Sequence, residues 1–172
     1  MKKSILTAVI IISTLSYSFG QKDRLECSEL VVTVTDKMTE TTTTSTIHDI
    51  VVSEEGSKEG FNIFLMLSRK TVVMGVDAIS NNCIDKGGKM LILFRDGTRI
   101  ELLNQYKYNC NGKFRVYFGG NFGKYTQFRH LKNKEIETIR IWTSDSYVQN
   151  DLTHTNSKEL MESFKCIASS KK

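Results

Sequence analysis

Hydrophobic residues alternate with polar ones through the middle of the chain. In FNIFLML, residues 61 to 67, Phe61, Ile63, Leu65 and Leu67 share one parity, the period-two signature of a strand with one buried face. β-Branched and aromatic runs recur in LVVTVT (30–35), DIVVS (49–53), TVVMGVDAI (71–79), KFRVYF (113–118) and ETIRIW (137–142). Each is short and bounded by Gly, Asn, Asp or Ser, as antiparallel strands joined by turns should be. Between them, KMLILFRDGTRIELL holds two such runs on either side of Asp96-Gly97. That dipeptide favours a two-residue type I′ hairpin, whose facing residues would be Leu91 with Leu102, Leu93 with Ile100 and Phe94 with Arg99.

Two segments carry a helical period instead. TQFRHLKNKE (126–135) predicts a turn or two that bury Phe128 and Leu131. In NSKELMESFKCIA (156–168), Asn156 is placed to cap and Glu159 to reach back to it, while Leu160, Met161, Phe164 and Ile167 share one face. TETTTTST (39–46) reads as a solvated loop or edge strand, because one short threonine tract lacks the repetition needed to match an ordered surface. SEEGSKEG (53–60) reads as a turn, because it lacks the ligand order of a calcium loop. The expected fold is mainly β, an antiparallel β-sandwich or barrel-like sheet with one C-terminal helix.

The beginning of the chain adds a compartment. MKK is basic, SILTAVIIISTLSYSF is apolar but diluted by hydroxyls, and Ser18-Phe19-Gly20 offers small residues where a signal peptidase reads. We expect a signal peptide over 1–20 and one disulfide-stapled β-rich domain over 21–172, periplasmic or extracellular. The run is too short and too polar for a membrane span, and no cysteine stands at the new terminus to take a lipid. Loss of Lys2 and Lys3 lowers the net charge from +5 to +3 over 152 residues.

In an oxidising compartment, four cysteines suggest two disulfides. Extending the hairpin register outward brings Cys83 opposite Cys110, and elimination leaves Cys27 with Cys166. Cys166 lies off the apolar stripe of its helix, which predicts fraying there. The spacing suits no zinc site: there is no C-x-x-C, and His48, His130 and His154 are scattered. We expect no metal and no cofactor.

The basic charge is local. From Leu102 to Lys134 there is no Asp or Glu, but there are seven Lys or Arg and eight of the chain's 16 aromatic residues. Inside this segment, FGGNFGKY looks like a phosphate-cradling loop. It departs from G-x-x-x-x-G-K-[ST] by one residue between the glycines, and Tyr125 replaces the metal-binding hydroxyl. Strand alternation in KFRVYF sends Phe114, Val116 and Phe118 inward and leaves Lys113, Arg115 and Tyr117 facing solvent. With Lys124 and Tyr125 these form a candidate binding face for an anionic, stackable ligand. The competing reading puts the aromatics in the core and the cations in water.

No nucleophile elbow, zinc-protease helix or local Cys-His pair is present. Asp145, Asp151, His154 and Ser157 are the nearest approach to a catalytic set, in what reads as the polar lead-in to a helix. The expected function is a non-catalytic binding or envelope-associated module, with an anionic polysaccharide, a lipid head group or an envelope protein as partner. Export disfavours nucleic acid. A small secreted hydrolase, or a periplasmic inhibitor or immunity protein, is the alternative.

Average usage would place about eight prolines in such a chain, and it has none. Refolding of the disulfide-intact protein should therefore lack the phase of tens of seconds that prolyl isomerisation causes. A slow phase accelerated by a prolyl isomerase would contradict this.

Overall fold

The computed structural model describes residues 25–53, 59–79 and 83–170. The expected signal peptide lies outside them, as do residues 54–58 of the SEEGSKEG turn. A short helical turn, α1 (Cys27–Leu30), leads into five strands: β1 (Val31–Thr35), β2 (Thr42–Thr46), β3 (Ile50–Ser53), β4 (Gly60–Ser68) and β5 (Thr71–Ile79). The hairpin β6 (Lys89–Phe94) and β7 (Arg99–Leu103) follows, then β8 (Lys113–Phe118), α2 (Tyr125–Asn133), β9 (Ile136–Trp142), β10 (Tyr147–Asp151) and α3 (His154–Ser169). The strands form two antiparallel sheets. One runs β1-β2-β4-β5-β8, with β3 also paired to β4; the other runs β10-β9-β6-β7.

The alternation decides what is buried. Ile63 of β4, Val76 of β5 and Phe114 of β8 lie in one cross-strand row, and Leu65, Met74 and Val116 in the next, all fully buried. Met90, Ile92 and Phe94 of β6, with Ile139 and Ile141 of β9, supply the second sheet's inner face. Both faces belong to one core, completed by α2 and α3. Phe128 of α2 bridges the layers: its ring centroid lies 5.6 Å from that of Phe118 and 5.8 Å, edge-on, from that of Phe164.

The mainly β fold and its C-terminal helix are as the sequence predicts, with corrections in detail. TQFRHLKNKE becomes a full nine-residue helix. The threonine tract is strand β2, paired on both sides, with β1 as the edge; its hydroxyls form cross-strand hydrogen bonds, Thr33 with Thr44 and Thr35 with Thr42. Strand β10, which the sequence reading did not include, ends at Asp151, where the polar lead-in to the helix begins. Helix α3 starts earlier than expected, capped by the Thr153 hydroxyl, which accepts from the Asn156 N–H. It does not fray at Cys166, because α1 packs alongside that flank and presents Cys27 to it.

The β6–β7 hairpin forms with a different turn. Neither Arg95 nor Asp96 has positive φ, while Gly97 does, at 82°. The Gly97 N–H closes onto Phe94 O and the Phe94 N–H bonds Thr98 O, giving a three-residue loop with a left-handed glycine. Leu91 therefore faces Glu101, Ile92 faces Ile100 and Leu93 faces Arg99. A slip of one residue exchanges the faces of a strand: Met90, Ile92 and Phe94 go inward, and Leu91 and Leu93 outward. The Cys83–Cys110 disulfide forms all the same. Gly88 pairs with Asn104, and Ile84 exchanges two backbone bonds with Asn109. One extra residue on the 104–109 side offsets the longer turn and restores the cysteines to opposite positions. Cys27–Cys166 is the second disulfide, and no cysteine is free. Among the described residues no helix is long and apolar enough to cross a membrane.

The turn is braced by charge. Lys134 Nζ lies 2.7 Å from Asp96 Oδ2 and 2.6 Å from Thr98 Oγ1, and the Thr98 N–H donates to Asp96 Oδ1 at 2.9 Å. Lys134, then the Thr98 N–H, hold the Asp96 carboxyl well below its usual range. A depressed carboxyl contributes stability above its unfolded value of about 3.9 and loses it as pH falls further. Asp96→Asn should accordingly lower the melting temperature at pH 7, with the gap to the parent closing below about pH 4. A constant gap across that window would show that Asp96 acts through the turn backbone alone.

Candidate functional site

Strand β8 ends its sheet, so its outward N–H groups have no neighbouring strand to bond. Three side-chain amides take that place. Asn109 Oδ1 accepts from the Lys113 N–H at 2.9 Å, Asn104 Oδ1 from the Arg115 N–H at 3.0 Å, and Gln105 Oε1 from the Tyr117 N–H at 2.8 Å. All three amides lie in the segment after β7, which Cys110 fastens to Cys83.

The five candidate residues separate. Lys113, Arg115 and Tyr117 do point outward, as alternation predicts, while Phe114, Val116 and Phe118 are core. Arg115, however, is engaged. Its guanidinium pairs with Asp77 of β5, donates to Phe114 O at 2.9 Å, and lies 4.8 Å from the Phe64 ring centroid and 6.0 Å from that of Tyr106. Phe64, Gly75 and Arg115 stand in one cross-strand row, and a Cβ at Gly75 would enter the Phe64 ring. The bare glycine lets the ring lie flat on the sheet, and the arginine covers it. Lys113 stands at the far end of β8, opposite Asp77. Tyr125 opens α2 and is exposed.

Tyr117 and Lys124 do come together. In the FGGNFG loop, Gly119, Gly120 and Gly123 all have positive φ, and so does Lys124, at 57°. No phosphate cradle forms: the Gly119 N–H is spent on Gly123 O at 2.9 Å. A lysine in the left-handed region is strained by about 1 kcal/mol or more. That conformation directs its ammonium to Gln105 Oε1, at 3.0 Å, the oxygen that also accepts from the Tyr117 N–H. Partial burial lowers the Lys124 pKa from its ordinary value. Tyr117 packs against Phe122, centroids 5.1 Å apart. These residues, with Lys86 and Leu103, line an open groove of about 640 Å³.

Of the eight aromatics in the acid-free segment, Phe114, Phe118 and Phe128 are core, whereas Tyr108, Phe122 and Tyr125 are exposed and Tyr106 and Tyr117 half-buried. Three of the eight are thus core and five keep some exposure. Lys86, Gln105 and Phe122 were not singled out from the sequence: Lys86 lies outside the acid-free stretch, and Gln105 joins the site through an edge contact that no local pattern marks. The catalytic constellation does not assemble. Asp151 accepts from the Thr138 hydroxyl, His154 sits exposed beside Glu135 at 3.2 Å, and Ser157 is fully buried on α3. Among the described residues no group of three His, Cys, Asp or Glu is placed to hold a metal ion.

Gly75→Ala should destabilise the protein by about 1 to 3 kcal/mol in urea unfolding, through overpacking against Phe64. Arg115→Ala should cost a similar amount, about 1 to 3 kcal/mol, by stripping Asp77 of its partner. An Arg115→Ala protein as stable as the parent would mean that the guanidinium is free for other work. Comparison with protein-family models, with curated proteins and with solved structures finds no match to this chain.

Proposed function

We propose that the protein is an exported, non-catalytic binding module whose groove between the β7–β8 segment and the β8–α2 loop takes an anionic polysaccharide. The observation that carries this reading is Lys124. It bears a strained backbone conformation that glycine would hold at lower cost, and the strain brings a partly desolvated ammonium to the groove that the packed Tyr117–Phe122 pair also lines. Strain kept at a surface residue points to use of its side chain. Lys86 adds a second cation at the rim, and the aromatic pair offers apolar area to a sugar ring. The apolar N-terminal run and the two disulfides support an oxidising, extracytoplasmic setting.

Heparin is a suitable probe. The protein should be retained on a heparin column at low salt and released steeply as salt rises, because exposed charges are screened within about 10 Å at 0.1 M. Lys86→Ser should elute at lower salt. Lys124→Gly should do the same while leaving the melting temperature about unchanged, since relief of the left-handed strain offsets the added freedom of the unfolded chain. Phe122→Ala should weaken the part of binding that survives salt by about 1 kcal/mol. Absence of retention, or elution of all three variants with the parent, would refute the reading.

A further inference from the structure

The second sheet has an outer face with its own chemistry. Gln149 of β10, Arg140 of β9 and Leu91 of β6 stand in one cross-strand row, and Thr138, Leu93 and Arg99 in the next. Together they line a groove of about 280 Å³, floored by the two leucines that the hairpin register turned outward. Arg140 is held in place. Its Nε donates to Gln149 Oε1 at 2.7 Å, and its guanidinium carbon lies 4.4 Å from the Tyr147 ring centroid and 5.7 Å from that of Trp142. Both rings are partly exposed and face each other across β9 and β10.

The charges are distributed unevenly. The acids of this face lie on the flanking strands, each with a partner: Glu101 with Lys89 at 3.5 Å, and Asp151 with the Thr138 hydroxyl at 2.6 Å. Among the described residues, neither Arg140 nor Arg99 pairs with a carboxylate. Among the described residues only Nε of Arg140 is spent, so its terminal nitrogens keep the forked geometry that grips a carboxylate with two hydrogen bonds. Gln149 accepts with its oxygen and keeps its amide N–H groups to donate.

We propose that this face is a binding site for a carboxylate-bearing sugar of the uronate type, with Arg140 gripping the carboxylate, Arg99 opposite it, and the ring resting on Leu91 and Leu93 beside Trp142. A sugar suits the place better than a peptide. In the middle of a sheet the backbone groups of β6 and β9 are already paired in the ladder, so a peptide main chain would find no partners there. A sugar needs only side-chain donors, an apolar floor and an aromatic rim. The volume matches one or two rings rather than a long chain. This site is separate from the Lys124 groove and does not depend on it.

Trp142 is the chain's only tryptophan, so its fluorescence reports this face and not the groove. Titration with short galacturonate oligomers in 0.15 M salt should give a saturable change in Trp142 emission, and the methyl-esterified oligomers should give none. Arg140→Gln should raise the apparent Kd about tenfold or more, as loss of a bidentate charged contact predicts. The exposed Arg99→Gln should raise it by a smaller factor. The proposal is overturned by an unchanged emission up to millimolar oligomer, by an equal response to the neutral ester, or by normal binding in both arginine variants.

Discussion

A strand at the margin of a sheet leaves every second N–H and C=O without a ladder partner, and β8 is such a strand carrying a buried face that the core cannot spare. Phe114, Val116 and Phe118 all reach the core, so β8 cannot be shortened or bent away as edge strands often are. Its edge is closed by Asn104, Gln105 and Asn109. Side-chain amides close an edge without offering a new strand to a neighbour, but they must be held in register. The Cys83–Cys110 disulfide and the Ile84–Asn109 bridge do that holding. The Lys124 groove follows from it, because the oxygen that closes the edge at Tyr117 also receives the Lys124 ammonium.

The second disulfide does a different task. Cys27 and Cys166 join α1 to the far end of α3, and α3 covers the inner faces of strands from both ends of the fold order. A link between residues so distant in sequence restricts the unfolded chain more than the short one does, on the chain-entropy account. Together the two staples fix the helix layer at one side and the sealed edge at the other.

Much of this was legible in the sequence because it is local. Strand parity placed Phe61, Ile63, Phe114 and Phe118 in the core and Lys113, Arg115 and Tyr117 outside it, and the cysteine pairing emerged from counting. What was illegible depends on which strands become neighbours. The β5–β8 pairing skips the intervening hairpin, so nothing near Arg115 announces Asp77 or Phe64. The hairpin turn misled because Asp-Gly serves both a two-residue loop and the second half of a three-residue one. The pairing of Cys83 with Cys110 survived that error only because an extra residue beyond the hairpin cancelled it. Strand β10 was missed since SYVQND shows one strong apolar residue, Val148, in a short polar run.

Arg115 and Arg140 show how far the neighbouring strand decides a side chain's use. Each sits at an outward position of a strand, in FRVYF and IRIW, and each lies against aromatic rings. Beside Arg115 stand Gly75, which admits the Phe64 ring beneath it, and Asp77, which neutralises it; its side chain is 13% exposed. Beside Arg140 stand Leu91 and Gln149, which give a floor and an orienting oxygen, while Asp151, one row away on β10, accepts from the Thr138 hydroxyl instead. The first arginine is consumed by the sheet, covering a ring that would otherwise meet water. The second is oriented and left with unspent donors, because an amide positions a guanidinium without neutralising it. Sequence motif and aromatic company are alike in the two cases. The difference lies in what the carboxylate one row away bonds: Asp77 takes the guanidinium, whereas Asp151 accepts from the Thr138 hydroxyl, which makes the same residue type a structural cation in one sheet and a poised donor in the other.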